Sequence, residues 1–252
     1  MDLKDQTVLI TGAGRGFGAA IAKAFAREGA SVAINYRRSR DQAESLAESL
    51  GPKARAFQAD VTDASAVRAM LAEIKSTLGP VTTLVHNALA DYSFNGDARD
   101  TVETLSGEAL SDQYTTAVTG AVNAIQAALP DIEAAGFGRI ILIGSNLVQN
   151  PVVPYHDYTS AKAALLALMR TASKDLGPKG ITVNMVSGGL LRTTDASAAT
   201  PDAVFDFIAE STPLRSVTTP EEAADAVLFF ASPWARAVTG QNLIVDGGLV
   251  CG

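Results

Sequence analysis

The sequence holds a single cysteine, Cys251, and only two histidines, His86 and His156. One thiol closes no intramolecular disulfide, and two histidines without companion cysteines make no visible zinc cluster. Cys251 therefore reads as an incidental terminal residue. Basic residues are outnumbered, 20 against 27 acidic, for a net charge of −7; this argues against a nucleic-acid-binding surface. No stretch approaches the length of a membrane span, and Met1 to Thr11 has no apolar run of signal-peptide length, so the cytoplasm is the expected compartment. Disorder is also excluded, because 47% of residues are hydrophobic and 19% charged, enough to build a substantial core.

What is present is an alternation of short β-branched runs with longer alanine-rich amphipathic stretches. Strands are expected at Thr7 to Thr11, Ser31 to Tyr36, Ala54 to Ala59, Val81 to Val85, Arg139 to Ile143, Ile181 to Val186 and Leu243 to Val245. Helices are expected at Gly16 to Glu28, Asp41 to Ser49, Ala64 to Leu78, Ser106 to Leu129 (stopped by Pro130), Tyr155 to Leu176 and Pro220 to Ala231. Strands joined by crossover helices form a parallel sheet, and continuous apolar strands mean that both faces are covered. No linker, repeat or low-complexity run divides the chain, so residues 1–252 read as one doubly wound α/β domain.

The first strand runs into Thr11-Gly12-Ala13-Gly14-Arg15-Gly16-Phe17-Gly18 just before a helix. Glycine lets the backbone turn sharply and approach a pyrophosphate, and a helix N-terminus offers unpaired N–H groups to the phosphates. The second strand ends Asn35-Tyr36-Arg37-Arg38, with no carboxylate before Asp41 to bind a ribose 2′-hydroxyl. Arg15, Arg37 and Arg38 instead suit a 2′-phosphate, which favours NADP(H) over NAD(H).

Tyr158 and Lys162 stand at i and i+4 at the start of the fifth long helix, so they share a face. A phenol needs a nearby cation to part readily with its proton near neutral pH, and Lys162 can be that cation. Thirteen residues upstream, Ser145 ends an apolar strand, and the carboxyl ends of parallel strands are where open α/β folds bind ligands. Its hydroxyl can hold a substrate oxygen or satisfy backbone groups at the strand end.

With these residues in view, the chain resembles the short-chain dehydrogenase/reductases over essentially its whole length, most closely their 3-oxoacyl-ACP-reductase-like branch. Thr239-Gly240-Gln241-Asn242 and Val245-Asp246-Gly247-Gly248 add to the likeness. The resemblance implies a single-domain Rossmann fold with a seven-stranded sheet, a homotetramer, and Tyr158 as acid/base, Ser145 as oxygen donor and Lys162 as ribose anchor. It further implies cofactor contacts from Gly12, Gly16, Phe17, Gly18, Asp60, Val61, Asn87, Ala88, Gly189 and Thr193. The chain departs from the family at Leu89, where a glycine is usual, and at Gly188, where a proline is usual. It also departs at Ala117, where the family often has an asparagine that orders water near the lysine; Asn123 lies about 240° further around the helix and is a poor substitute.

The same resemblance places a substrate lid in Asp195 to Ser211, with Val204, Phe205, Phe207 and Ile208. The polar stretch Leu89 to Ser106 can belong to the entrance or to an oligomer contact. His156, two residues before Tyr158, is expected as a cap or surface residue, the alternative being that it faces the pocket and binds a polar substrate group. Arg99, Arg192 and Arg215 form no basic cluster in the sequence that would dock an acyl carrier protein. The expected activity is hydride transfer between NADP(H) and a ketone or secondary alcohol, with a 3-oxoacyl thioester within that class. The alternative is a nucleotide-binding regulatory or scaffold protein with impaired turnover.

Overall fold

In a computed structural model that describes residues 1–90, 92, 94 and 99–251, the strands are Thr7–Ile10 (β1), Ser31–Tyr36 (β2), Ala54–Gln58 (β3), Thr83–His86 (β4), Gly138–Ser145 (β5), Ile181–Gly188 (β6) and Asn242–Val245 (β7). They form one seven-stranded sheet in the order β3-β2-β1-β4-β5-β6-β7. Every pairing is parallel. The helices are Gly16–Arg27 (α1), Arg40–Leu50 (α2), Ala64–Thr77 (α3), Gly107–Tyr114 (α4), Gly120–Ala135 (α5), His156–Leu176 (α6), Asp202–Ser211 (α7) and Pro220–Ala231 (α8).

The central strands β1, β4 and β5 are buried along their whole length, as a sheet covered on both faces requires. One core packs Leu9, Leu84, Ile140 and Leu142 against α3, α5 and α6. The other packs Val8, Ile10, Val85 and Ile141 against α1, α2 and α8. The alternation follows from the two-residue period of a strand. The chain first builds the sheet outward from β1 to β3 and then returns to place β4 on the other side of β1. That reversal leaves a crevice between the loops after β1 and β4, the usual ligand position in such sheets.

Most boundaries fall within one or two residues of expectation. The stretch Ser106 to Leu129 does not form one helix, and Pro130 does not stop it. A π-helical turn at Thr115–Thr119 separates α4 from α5, and α5 runs through Pro130 to Ala135, where Gly136 adopts the left-handed conformation. Pro130 costs a backbone hydrogen bond and a clash, about 3 kcal/mol in a helix interior. It sits on the exposed side, however, while Ala121, Ala124, Ile125, Ala128 and Ile132 keep one continuous buried face across it. Packing therefore decides the outcome. Asp131, next in sequence, also pairs with Lys75 of α3 at 2.6 Å. Helix α7 is legible in the sequence only as a lid segment: just Phe205 in it is buried, so it carries little hydrophobic periodicity. Among the described residues no helix is long and apolar enough to cross a membrane.

Restoring the missing N–H should stabilise α5. Pro130→Ala is expected to raise the unfolding free energy in urea titrations by about 2 kcal/mol, the helical cost of proline less the unfolded-chain freedom that alanine restores; a loss of stability would show that the proline's fixed geometry shapes the helix.

Candidate active site

The loops after β1, β2, β4, β5 and β6 enclose a cleft of about 560 Å³. On its floor, Arg15 caps α1 in an extended conformation and gives the first turn no side-chain acceptor. The first-turn N–H groups of Gly16, Phe17 and Gly18 therefore face the cleft, which all three residues line. Gly16 has φ +57°, and a Cβ at Gly18 would lie 2.6 Å from both Asn87 Nδ2 and Gly12 O. The first glycine allows the turn and the second allows the turn to touch the end of β4. Asn87 closes that contact by donating to Thr11 O at 3.1 Å and Gly12 O at 3.0 Å. Ala88 is buried behind Gly12, and Leu89 lines the cleft.

At the end of β2, Asn35 turns inward, accepting from Gly12 N at 3.2 Å and donating to Ala59 O at 3.0 Å. Arg15, Arg37 and Arg38 all line the cleft. Arg15 pairs with Asp195 at 3.4 Å and Arg37 with Asp60 at 3.6 Å. Burial would raise the Asp60 pKa, but hydrogen bonds from Thr62 together with Arg37 hold it below the usual carboxylate range. Ser39 and Gln42 line the same end and are not singled out by the sequence; the only hint is that Ser39 precedes α2 as its N-cap. Three guanidinium groups, a helix N-terminus and no carboxylate closing β2 fit a ligand rich in phosphate.

At the other end of the cleft, Tyr158 and Lys162 lie on the buried face of α6, at 6% and 4% exposure. Lys162 Nζ donates to Ile143 O of β5 at 2.7 Å and lies 5.6 Å from the Tyr158 ring centroid. Burial pushes the Lys162 pKa down to about 8. It pushes the Tyr158 phenol up to about 12, against the opposing pull of a hydrogen bond with Ser145. Ser145 Oγ also accepts from Leu147 N at 3.2 Å, so it serves the strand end as well.

Two aromatic rings that the sequence does not single out cover Tyr158. Tyr92 stacks on it with centroids 4.9 Å apart, and Phe94 meets it edge-on at 5.4 Å. They belong to the polar stretch after β4; its residues 91, 93 and 95–98 lie outside the described residues. Of the remaining candidates, Gly12 and Gly189 line the cleft. Thr193 is exposed, and its neighbour Thr194 lines the cleft instead. Val61 packs under Gly120. Ala117 is buried in the π-helical turn, while Asn123 donates to Val61 O at 2.9 Å. His156 begins α6 and borders a separate shallow groove. Asp246 accepts from Asn146 Nδ2 and from the N–H groups of Gly248 and Val250, tying the Val-Asp-Gly-Gly ending to the end of β5. Among the described residues no group of side chains is arranged to hold a metal ion.

His86 sits beneath this site, fully buried at the end of β4. Thr11 Oγ1 accepts N–H bonds from Asn87 and Ala88, both at 3.0 Å, which fills both its lone pairs. Its own proton is therefore donated to His86 Nδ1, 3.1 Å away, leaving the ring's proton on Nε2. Burial, and next the nearby Lys162 charge, lower the imidazole pKa to about 3.

A family model described as enoyl-(acyl carrier protein) reductase matches residues 12–250. A 3-oxoacyl-[acyl-carrier-protein] reductase of Staphylococcus aureus is 34% identical, over 97% of this chain and 98% of that protein. An oxidoreductase of Sarocladium schorii is 32% identical, over 98% and 96%. Among solved structures, a dehydrogenase/reductase from Sinorhizobium meliloti superposes with a TM-score of 0.88 at 33% identity, covering 99% of this chain and 97% of that one. A Serratia marcescens short-chain dehydrogenase/reductase superposes with a TM-score of 0.87 at 33% identity, covering 100% of both.

Because the folded His86 pKa lies below the unfolded value, the unfolded chain takes up a proton first as pH falls through 6.5. Stability should then fall by up to about 1.4 kcal/mol per pH unit down to pH about 3. His86→Asn should remove that part of the slope in unfolding titrations. An identical slope in the two proteins would mean that His86 is not held neutral.

Proposed function

The chain belongs to the short-chain dehydrogenase/reductase family, in its 3-oxoacyl-ACP-reductase-like branch, and we propose that it reduces a ketone with NADPH, with Tyr158 as the proton donor. Membership makes it an oxidoreductase that uses a nicotinamide cofactor. The observation that carries the proposal is the buried Tyr158–Lys162 pair, set against β5 at the end of the cleft opposite the phosphate turn. The scaffold reading rests on Ala117 and Leu89 alone.

The N–H groups of Gly16, Phe17 and Gly18 would bind the cofactor's pyrophosphate, with Arg15, Arg37 and Arg38 on its charged groups. Asp60 and Val61 would flank the adenine. Lys162, which gives Ile143 O one of its three donors, has others to offer the ribose hydroxyls. Asn87, Ala88, Gly189 and Thr193 or Thr194 would frame the nicotinamide end. When bound, the cofactor supplies the hydride to the carbonyl carbon.

The protein's part is to orient and protonate the oxygen. Ser145 would donate a hydrogen bond to it as negative charge develops. Tyr158, raised to about 12 by burial, keeps its proton at neutral pH and can pass it to the forming alkoxide. The phenolate left behind is stabilised by the Lys162 ammonium. Since burial lowers Lys162 to about 8, that charge fades as pH rises through this value. Reduction should therefore decline above pH about 8; oxidation of the alcohol needs the phenolate, which the same loss of charge disfavours, so it gains nothing at that pH.

The substrate proposed is a free ketone or secondary alcohol, with acyl thioesters in the same class. The three arginines considered for carrier docking are all engaged: Arg192 pairs with Asp202 and Asp206, Arg215 donates to Glu210 O, and Arg99 packs on Tyr92. A cytoplasmic homotetramer is proposed on the resemblance, and exposed Leu110 and Tyr114 on α4 are in keeping with a subunit contact.

Tyr158→Phe should lower ketone reduction by at least about 100-fold while NADPH binding, read by fluorescence, is retained; undiminished turnover would overturn the assignment. The double change Arg37→Ala, Arg38→Ala should weaken NADPH by about 10-fold or more and leave NADH nearly unchanged. Equal losses for the two cofactors would refute the 2′-phosphate reading.

A further inference from the structure

A substrate preference set by the roof over Tyr158 rests on ketone reduction at that residue, which by itself leaves the substrate's shape open. The roof narrows that shape. Tyr92 lies nearly parallel to Tyr158, at 27°. Phe94 stands at 90° to Tyr158 and at 70° to Tyr92, and Tyr155 closes another side at 83° to Tyr92. The Arg99 guanidinium lies 4.0 Å from the Tyr92 ring centroid. Phe94 is fixed by its backbone, which donates to Ala196 O at 2.9 Å and accepts from Thr200 Oγ1 at 3.4 Å. The roof is thus tied to the segment that leads into α7.

Tyr92 and Phe94 line the cleft together with Tyr158. A carbonyl oxygen that reaches the nearly buried phenol must pass along their ring surfaces. Aromatic rings prefer offset-stacked and edge-to-face partners, and the present arrangement of Tyr92, Phe94 and Tyr158 shows both geometries. These rings are in contact, so a substrate reaches the phenol by parting Tyr92 and Phe94 from it; a flat ring regains the stacked and edge-on contacts that this breaks, and a flexible alkyl chain regains none. The cleft must also hold the dinucleotide, which leaves room for a compact substrate.

We propose that Tyr92 and Phe94 are specificity-determining residues that select compact ketones whose carbonyl is attached to a flat aromatic ring, over alkyl ketones and acyl thioesters.

The test compares kcat/KM for acetophenone, cyclohexyl methyl ketone, methyl hexyl ketone and an acetoacetyl thioester, with NADPH throughout. The first three have equal carbon counts and differ in flatness and aromaticity. Conjugation makes the aryl carbonyl the least reactive of these three, so a preference for it must come from the site. The wild-type protein should favour acetophenone over cyclohexyl methyl ketone by about 2- to 12-fold, mainly through KM. Tyr92→Leu and Phe94→Leu should each shrink that ratio, whereas Tyr92→Phe should keep it. Turnover that favours the alkyl ketones or the thioester overturns the proposal and leaves ketone reduction standing. A ratio unmoved by either leucine variant does the same. Absence of turnover on all four substrates, with NADPH bound, overturns both.

Discussion

An ammonium taken out of water is among the most expensive groups a protein can bury, and it is tolerated only where acceptors are built around it. Lys162 is such a group. Its bond to Ile143 O joins α6 to the carboxyl end of β5, beside the crevice that the strand order leaves after β1 and β4. One turn earlier on the same helix stands Tyr158, so fixing the lysine also fixes the phenol. The same burial moves the two pKa values in opposite directions, lysine downward and tyrosine upward. A phenol that holds its proton at neutral pH beside a cation that can stabilise its anion is suited to protonating a developing alkoxide.

The phosphate end depends on a different bond network. Thr11 Oγ1 receives two N–H groups from the turn after β4, and Asn87 returns two bonds to the turn after β1. The two loops that border the crevice are thereby locked to each other before any ligand arrives. Arg15 and Arg37, by contrast, are held by the exposed carboxylate of Asp195 and the half-buried carboxylate of Asp60. Exposed pairs are weak, typically up to about 1 kcal/mol, so a phosphate can displace them. The rigid part of the site is neutral backbone, and the adjustable part is charge.

Much of this is legible from residue order alone. The strands, the glycine turn and the Tyr158–Lys162 face follow from periodicity and helical spacing, which act over a few residues. Pro130 misleads because the local rule for proline ignores the buried face that carries α5 across it. The π-helical turn has no local signature in Thr115–Thr119. The aromatic roof is hidden because Tyr92 and Phe94 meet Tyr158 across more than sixty positions of sequence, and no short-range pattern encodes such a contact. Residue order places the arginines at the cleft, but their pairing with Asp60 and Asp195 is a tertiary event.

Hydride transfer from NADPH to a ketone can be followed directly by isotope label. The protein would be given a ketone and NADPH deuterated at the transferring position of the nicotinamide, and the alcohol examined by mass spectrometry and NMR. One deuterium is expected on the carbinol carbon and, in unlabelled water, none on the hydroxyl, whose proton exchanges with solvent. Alcohol formed without the label, or a protein that binds NADPH and passes deuterium to no ketone, would contradict the assignment of this chain as a ketone reductase.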